Sequence, residues 1–134
     1  MPRAPVRTFG LTHVAIGVVD IARAARFYEQ VFGMVAVYRN AAMAQLQTPG
    51  ARDVLVLEKT DTPVGTGGGI RHFGFRLVDP ADIDRAAEAI AAAGGAITGK
   101  GEFVPGEPYV FFRDPDGYEV EVWFEIPTKV DPAS

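Results

Sequence analysis

The strongest constraint on how this chain folds is an internal repeat. Thr12-His13-Val14-Ala15-Ile16-Gly17-Val18-Val19-Asp20 returns 59 positions later as Arg71-His72-Phe73-Gly74-Phe75-Arg76-Leu77-Val78-Asp79. Each segment sets a His at the head of an alternating strand and ends in Val-Asp. A helical pattern follows each one, Ile21 to Phe32 closed by Gly33, and Ala81 to Ala93 closed by Gly94-Gly95. Asp20 suits the N-cap of the first helix. Asp79-Pro80 offers the second an N-cap with the proline favoured at the first helical position.

Three strand-like runs come after each helix: Met34–Arg39, Ala42–Gln47 and Asp53–Lys59, then Ala96–Phe103, Tyr109–Arg113 and Tyr118–Ile126. Thr48-Pro49-Gly50 and Asp114-Pro115-Asp116-Gly117 mark turns between them. The expected organisation is β-α-β-β-β, twice: module one over about 9–60, a glycine-rich linker over about 61–69, and module two over about 70–126. The linker, Gly65-Thr66-Gly67-Gly68-Gly69, lacks the Lys-Ser/Thr and helix start of a phosphate loop. Two such modules bury their helices on one side and leave a concave sheet surface on the other. Alternation then assigns faces. Val14, Ile16, Val18, Phe73, Phe75, Leu77, Val120, Val122 and Phe124 pack. His13, Ala15, Gly17, His72, Gly74, Arg76, Glu119, Glu121, Trp123 and Glu125 face the cavity.

Composition narrows the function. With 134 residues the chain has room for one ordinary domain, and 48% hydrophobic against 22% charged residues is a globular balance. A formal charge of −4 without a basic run argues against nucleic-acid phosphates as a partner. The absence of cysteine excludes disulfides, thiolate metal sites and a cysteine nucleophile. No stretch reads as a membrane span or signal peptide, so a cytoplasmic protein with no membrane partner is expected.

The chain has two histidines, and both fall on the cavity face at matched repeat positions. Two imidazoles and one inward carboxylate bind a divalent metal while leaving positions open for water or substrate. The alternative is that His13 and His72 merely cap strand ends. Taken with Leu11-Thr12-His13-Val14-Ala15-Ile16, Phe27-Tyr28, Phe32-Gly33, Arg71-His72-Phe73-Gly74-Phe75 and Phe111 to Glu121, the sequence resembles the vicinal oxygen chelate superfamily over roughly residues 9 to 126. That group includes glyoxalase I, fosfomycin- and bleomycin-resistance proteins, methylmalonyl-CoA epimerases and extradiol dioxygenases. The Asp114-Pro115-Asp116-Gly117 turn with Glu121 four residues after the Gly is the most specific part. The resemblance implies an α+β fold, two βαβββ modules forming a cup-shaped mixed sheet around a metal-centred cavity. It also implies a homodimer, often with the cavity completed from two chains.

Carried over position by position, the resemblance gives His13, His72 and Glu121 as metal ligands. The fourth falls on Val56, which cannot ligate; Glu58 has the right parity but lies two residues further on. Glyoxalase I and the epimerases resemble this chain but use a fourth oxygen ligand. Fosfomycin-resistance enzymes resemble it in ligand number, yet carry Thr where Ala15 stands, Tyr where Phe73 stands and an Arg after the closing Glu. Bleomycin-resistance proteins need no metal. Extradiol dioxygenases resemble it in using two His and one carboxylate, but add a further His as acid/base. Here acid/base work falls to Glu119, Tyr109, Glu125, Tyr118, Glu121 or metal-bound water. Arg76 and Arg113 are candidates for an anionic substrate, or for ion pairs with Glu119 or Glu125. Phe111 and Trp123 are candidates for stacking on an aromatic substrate, or for core packing. The expectation is therefore a metal-dependent enzyme for a small molecule, tilted toward iron(II) dioxygenase chemistry over lyase or isomerase chemistry. Manganese, nickel, cobalt and zinc suit the same ligands. The alternative is a metal-independent protein that sequesters an aromatic antibiotic or metabolite.

Overall fold

A computed structural model describes residues 5–132. The chain divides between Asp61 and Thr62 into two compact units, each a βαβββ module. The first holds β1 (His13–Val18), α1 (Ile21–Phe32), β2 (Val35–Arg39), β3 (Met43–Gln47) and β4 (Val54–Lys59). The second holds β5 (Phe73–Arg76), a 3-10 turn (Pro80–Asp82), α2 (Ile83–Ala92), β6 (Ala96–Glu102), β7 (Pro108–Arg113) and β8 (Glu119–Trp123). Strand order is β1-β4-β3-β2 in one sheet and β5-β8-β7-β6 in the other. In both, the first strand pairs parallel with the last and the remaining pairs are antiparallel. Even the irregularities match: β2 slips register between Ala36 and Tyr38, β6 between Ile97 and Gly99.

Local chemistry explains the elements. In α1, Ile21, Ala24, Ala25, Phe27 and Tyr28 are buried at helical spacing. Asp20 accepts the Arg23 amide at 3.1 Å, and Gly33 stops the helix at φ 67°, where a side chain would be strained. The second helix starts two residues later than its sequence pattern suggests. Asp79 accepts the Ala81 amide at 2.9 Å, and that tight turn takes Pro80–Asp82 into a 3-10 turn first.

The first sheet buries Ile16, Val18, Ala44, Leu46, Leu55 and Leu57. The second buries Val110, Phe112, Val120 and Val122 completely, each stabilising the fold by about 1.5–3 kcal/mol. Val14, Phe73, Phe75, Leu77 and Phe124, expected to pack, are part-buried. The closing strand is shorter than Tyr118–Ile126. Its ladder ends when the Phe124 amide reaches the carbonyl of Pro108, the first residue of β7, at 3.0 Å. Tyr118 and Glu125 thus lie outside β8, one in the turn before it and the other after it. Among the described residues, no helix is long and apolar enough to cross a membrane.

Candidate functional site

The register of the second sheet arranges the face opposite Val110, Phe112, Val120 and Val122 in cross-strand rows, since side-by-side residues point to the same side. One row runs Gly74, Glu121, Phe111, Gly99; the next runs Arg76, Trp123, Tyr109, Gly101. Glu119 and Arg113 pair in the row before them, together with Ala96. His72 immediately precedes β5, and its Nε2 lies 3.4 Å from Glu121 Oε1. The His72 ring also meets Phe111 edge-on, with centroids 5.1 Å apart.

Glu121 is the most constrained group of this face. It is 7% exposed, and its second carboxylate oxygen is buried without a hydrogen-bond partner. Burial pushes its carboxyl up from the ordinary 4.5, and His72 opposes that shift through charge and a hydrogen bond. A buried carboxylate with an orphaned oxygen beside an imidazole fits half of a divalent-metal site, because a shared cation would offset the charge and occupy that oxygen.

Two features position the pair. The Asp114–Gly117 turn closes the β7–β8 hairpin. Asp114 is 4% exposed and accepts the amides of Asp116 at 3.0 Å and Tyr118 at 2.9 Å. Gly74 provides the space: a Cβ there would lie 3.0 Å from the Glu121 carbonyl oxygen and 3.3 Å from Trp123 Cζ3.

In the first unit, His13 stands at the head of β1, exposed, and pairs with Val54. Ala15 pairs with Val56 just as Gly74 pairs with Glu121, so Val56 is the repeat position of Glu121. Glu58 is exposed and pairs with Gly17, four residues past His13 and about 13 Å along the strand. The structure brings His72 and Glu121 together. Among the described residues it gathers no group of three or more His, Asp or Glu side chains able to hold a metal.

The remaining candidates have identifiable surroundings. Arg76 points along the same face, but Asp131 grips it through both oxygens, at 3.2 and 2.8 Å. The Glu125 carboxylate stands 3.4 Å from it as well. Asp131 was not visible as a partner in the sequence, where it follows the last strand by several residues. Arg113 donates to the Gly117 carbonyl at 3.0 Å. Glu119 is half-buried beside it in register. Tyr109 is sandwiched in ring contacts, stacked with Phe103 at 4.3 Å and edge-on to Phe111 at 5.4 Å. Phe103, stacked on Tyr109 of β7, was not among the face residues assigned from the sequence, although the expected strand Ala96–Phe103 includes it.

A duplicated βαβββ chain with an imidazole–carboxylate pair at the start of its second parallel strand pair defines a recognisable class of protein. A model of the Glyoxalase/Bleomycin resistance protein/Dioxygenase superfamily matches residues 10–122, and the chain belongs to that superfamily. It is 27% identical over 123 residues to a catechol-2,3-dioxygenase of Bacillus subtilis, covering 87% of this chain and 42% of that protein. It is 30% identical over 142 residues to a putative lactoylglutathione lyase of Brassica oleracea, covering 95% of this chain and 48% of that protein. The chain thus spans less than half the length of these two relatives. Among solved structures, a fosfomycin resistance protein of Listeria monocytogenes superposes with a TM-score of 0.74 at 19% identity, covering 90% of this chain and 96% of that one. This last likeness concerns the fold.

Proposed function

We propose that this protein is a divalent-metal-dependent enzyme that chelates a small substrate through neighbouring oxygen atoms, with dioxygenase-like chemistry favoured over lyase or isomerase chemistry. The observation that carries the reading is the His72–Glu121 pair, 3.4 Å apart, with the second Glu121 oxygen buried and unpartnered. In this reading His72 and Glu121 hold the metal together with His13, and Val56 leaves the fourth position without a protein ligand. The bound ion would act as a Lewis acid toward a substrate anion such as an enediolate or catecholate.

The chain's own residues divide the remaining work. His72 must be neutral to ligate, and Phe111, edge-on to its ring, fixes its orientation. Glu119, on the same face one row from Glu121, is the nearest further carboxylate in register and is proposed as a proton carrier, with Tyr109 as the second candidate. Phe111 and Trp123 flank Glu121 and would hold the body of the substrate. Arg76 and Arg113 would reach a substrate only by leaving Asp131 and the Gly117 carbonyl.

Iron(II) is the favoured ion, since two imidazoles and a carboxylate with open positions suit it; manganese, nickel, cobalt and zinc suit the same donors. We further propose a homodimer, from the superfamily resemblance, and a cytoplasmic location, from the sequence's lack of a stretch that reads as a membrane span or signal peptide. Oxygen uptake by the iron-loaded protein with a panel of o-diphenols tests the activity. Uptake that falls at least about a thousandfold in His72→Ala is expected; no uptake, with lactoylglutathione-type or other isomerisation instead, would move the protein to the lyase side.

The exposed Phe103 favours a second reading, sequestration of an aromatic antibiotic or metabolite without turnover. Unimpaired ligand binding in metal-free His72→Ala would support it.

A further inference from the structure

The glycine-rich linker does not hang free of the site. From Thr62 on it belongs to the second unit, and it lies against the turn that precedes Glu121. At Gly65 the backbone takes φ 87°, and a Cβ there would lie 2.7 Å from the Asp116 carbonyl oxygen and 3.4 Å from the Gly117 Cα. Glycine permits both the left-handed conformation and this approach of two backbones. Gly67 is confined as well. A Cβ there would overlap the Ile70 carbonyl oxygen, across a turn that the Ile70 amide closes on the Gly67 carbonyl at 2.9 Å. His72 follows two residues later.

The two sides of the Gly65 contact lead to the two members of the imidazole–carboxylate pair. On one side the chain reaches His72 seven residues after Gly65. The β5–β8 ladder begins at Phe73 and Val120, so His72 stands just outside it and takes its place from the segment before. On the other side Glu121 follows Gly117 by four residues, inside β8. The turn is the stiffer partner. The Asp114 side chain accepts the Asp116 and Tyr118 amides, its carbonyl accepts the Gly117 amide at 2.9 Å, and its own amide donates to the Tyr118 carbonyl at 3.0 Å. A side chain at Gly65 would therefore displace the linker rather than the turn, and the displacement would run on toward His72.

We propose that Gly65 and Gly67 are positioning residues for the His72–Glu121 pair. Gly65 seats the linker on the Asp114–Gly117 turn, Gly67 bends it toward β5, and together they set His72 at its 3.4 Å from Glu121. Both act through His72, and their part in metal binding rests on the reading of His72 and Glu121 as ligands.

The chain has two histidines, so the ring signals of His13 serve as an internal reference for those of His72. Nitrogen-15 NMR records them in the full-length, metal-free protein at one pH, with His72→Ala assigning the peaks, for the parent, Gly65→Ala, Gly67→Ala and Gly94→Ala. Gly94 has φ 100° with nothing within 4 Å of an added Cβ, so its variant carries backbone strain without a clash. Cobalt(II) affinity is then titrated by visible absorption, well below each melting temperature. The His72 signals are expected to shift in both linker variants while those of His13 hold. Cobalt binding should weaken by about 10- to 100-fold in both and stay within about twofold in Gly94→Ala. His72 signals that keep their parental positions in both linker variants, or that move as far in Gly94→Ala, would overturn the proposal. Should Gly65→Ala not fold, Gly67→Ala decides by the same criteria. A parent that binds no cobalt rejects the chelating reading, and the His72 shifts still decide the positioning role. Cobalt binding at parental strength in both linker variants rejects the positioning role alone.

Discussion

Glu121 carries its constraint at the scale of one side chain. Burial raises its carboxyl above the ordinary 4.5 in the folded chain, and His72 recovers only part of that cost. A raised folded pKa means that the stability linked to this group is present below the unfolded value and is lost as pH rises through the folded one. At neutral pH the metal-free protein therefore bears a cost that a bound cation would remove. Glu121→Gln keeps the shape without the charge. The metal-free variant is expected to melt at or above the metal-free parent, while added metal raises the melting temperature of the parent only. A variant melting far below the parent would mean that the carboxylate serves the fold instead. Gly74→Ala tests the space beside it. With the Glu121 carbonyl 3.0 Å and Trp123 3.3 Å from the new Cβ, a loss of about 1–3 kcal/mol is expected in denaturant titrations. An unchanged midpoint would show that the strand and indole shift freely.

Hairpins and helices hold the site where it is, and each depends on a few polar contacts. Asp114→Ala removes the buried acceptor for two turn amides, at Asp116 and Tyr118. It should cost about 1–3 kcal/mol and weaken metal retention with it, since Glu121 sits seven residues on. Full metal retention in a destabilised Asp114→Ala variant would separate the turn from the site. The repeat and its two periodicities were enough to read these elements from the sequence. Ile21–Phe32 falls where Asp20 and Gly33 delimit it, and the parity of β8 already placed Glu119, Glu121 and Trp123 on one face. Three-dimensional pairing decided the rest. The sequence runs on in strand-like fashion to Ile126, but β8 stops where its partner β7 begins. Arg76 read as a candidate for an anionic substrate or for an ion pair with Glu119 or Glu125; Glu125 stands beside it, but the partner that grips it, Asp131, is 55 positions away and presented by a turn through Thr128. That contact gives its own pH test. Hydrogen bonding to Arg76 holds the Asp131 carboxyl below its ordinary 3.8. A depressed folded value contributes stability that is present above the unfolded pKa and lost as pH falls through the folded one. Hydrogen exchange over residues 126–132 should therefore quicken, relative to the intrinsic rate, as pH falls below about 4. Protection unchanged down to pH 2 would show that the tail is held by something other than this pair.

For the molecule as a whole, the second unit brings His72 and Glu121 together, and His13 stands at the head of β1 in the first unit. No single-chain group of three such ligands is present among the described residues. We propose that two copies complete the site, as the superfamily resemblance implies. Mixing His13→Ala with Glu121→Ala after reversible unfolding then rebuilds one intact ligand set in each mixed dimer, about one site in four of the parent complement under random pairing. No recovery would place all three ligands within one chain. Elemental analysis of anaerobically purified protein beside its His72→Ala variant decides whether this is a metal enzyme. Near-stoichiometric divalent metal, iron above all, is expected in the parent and its loss in the variant. A parent that holds no metal, even after reloading with each of iron, manganese, nickel, cobalt and zinc, would contradict it.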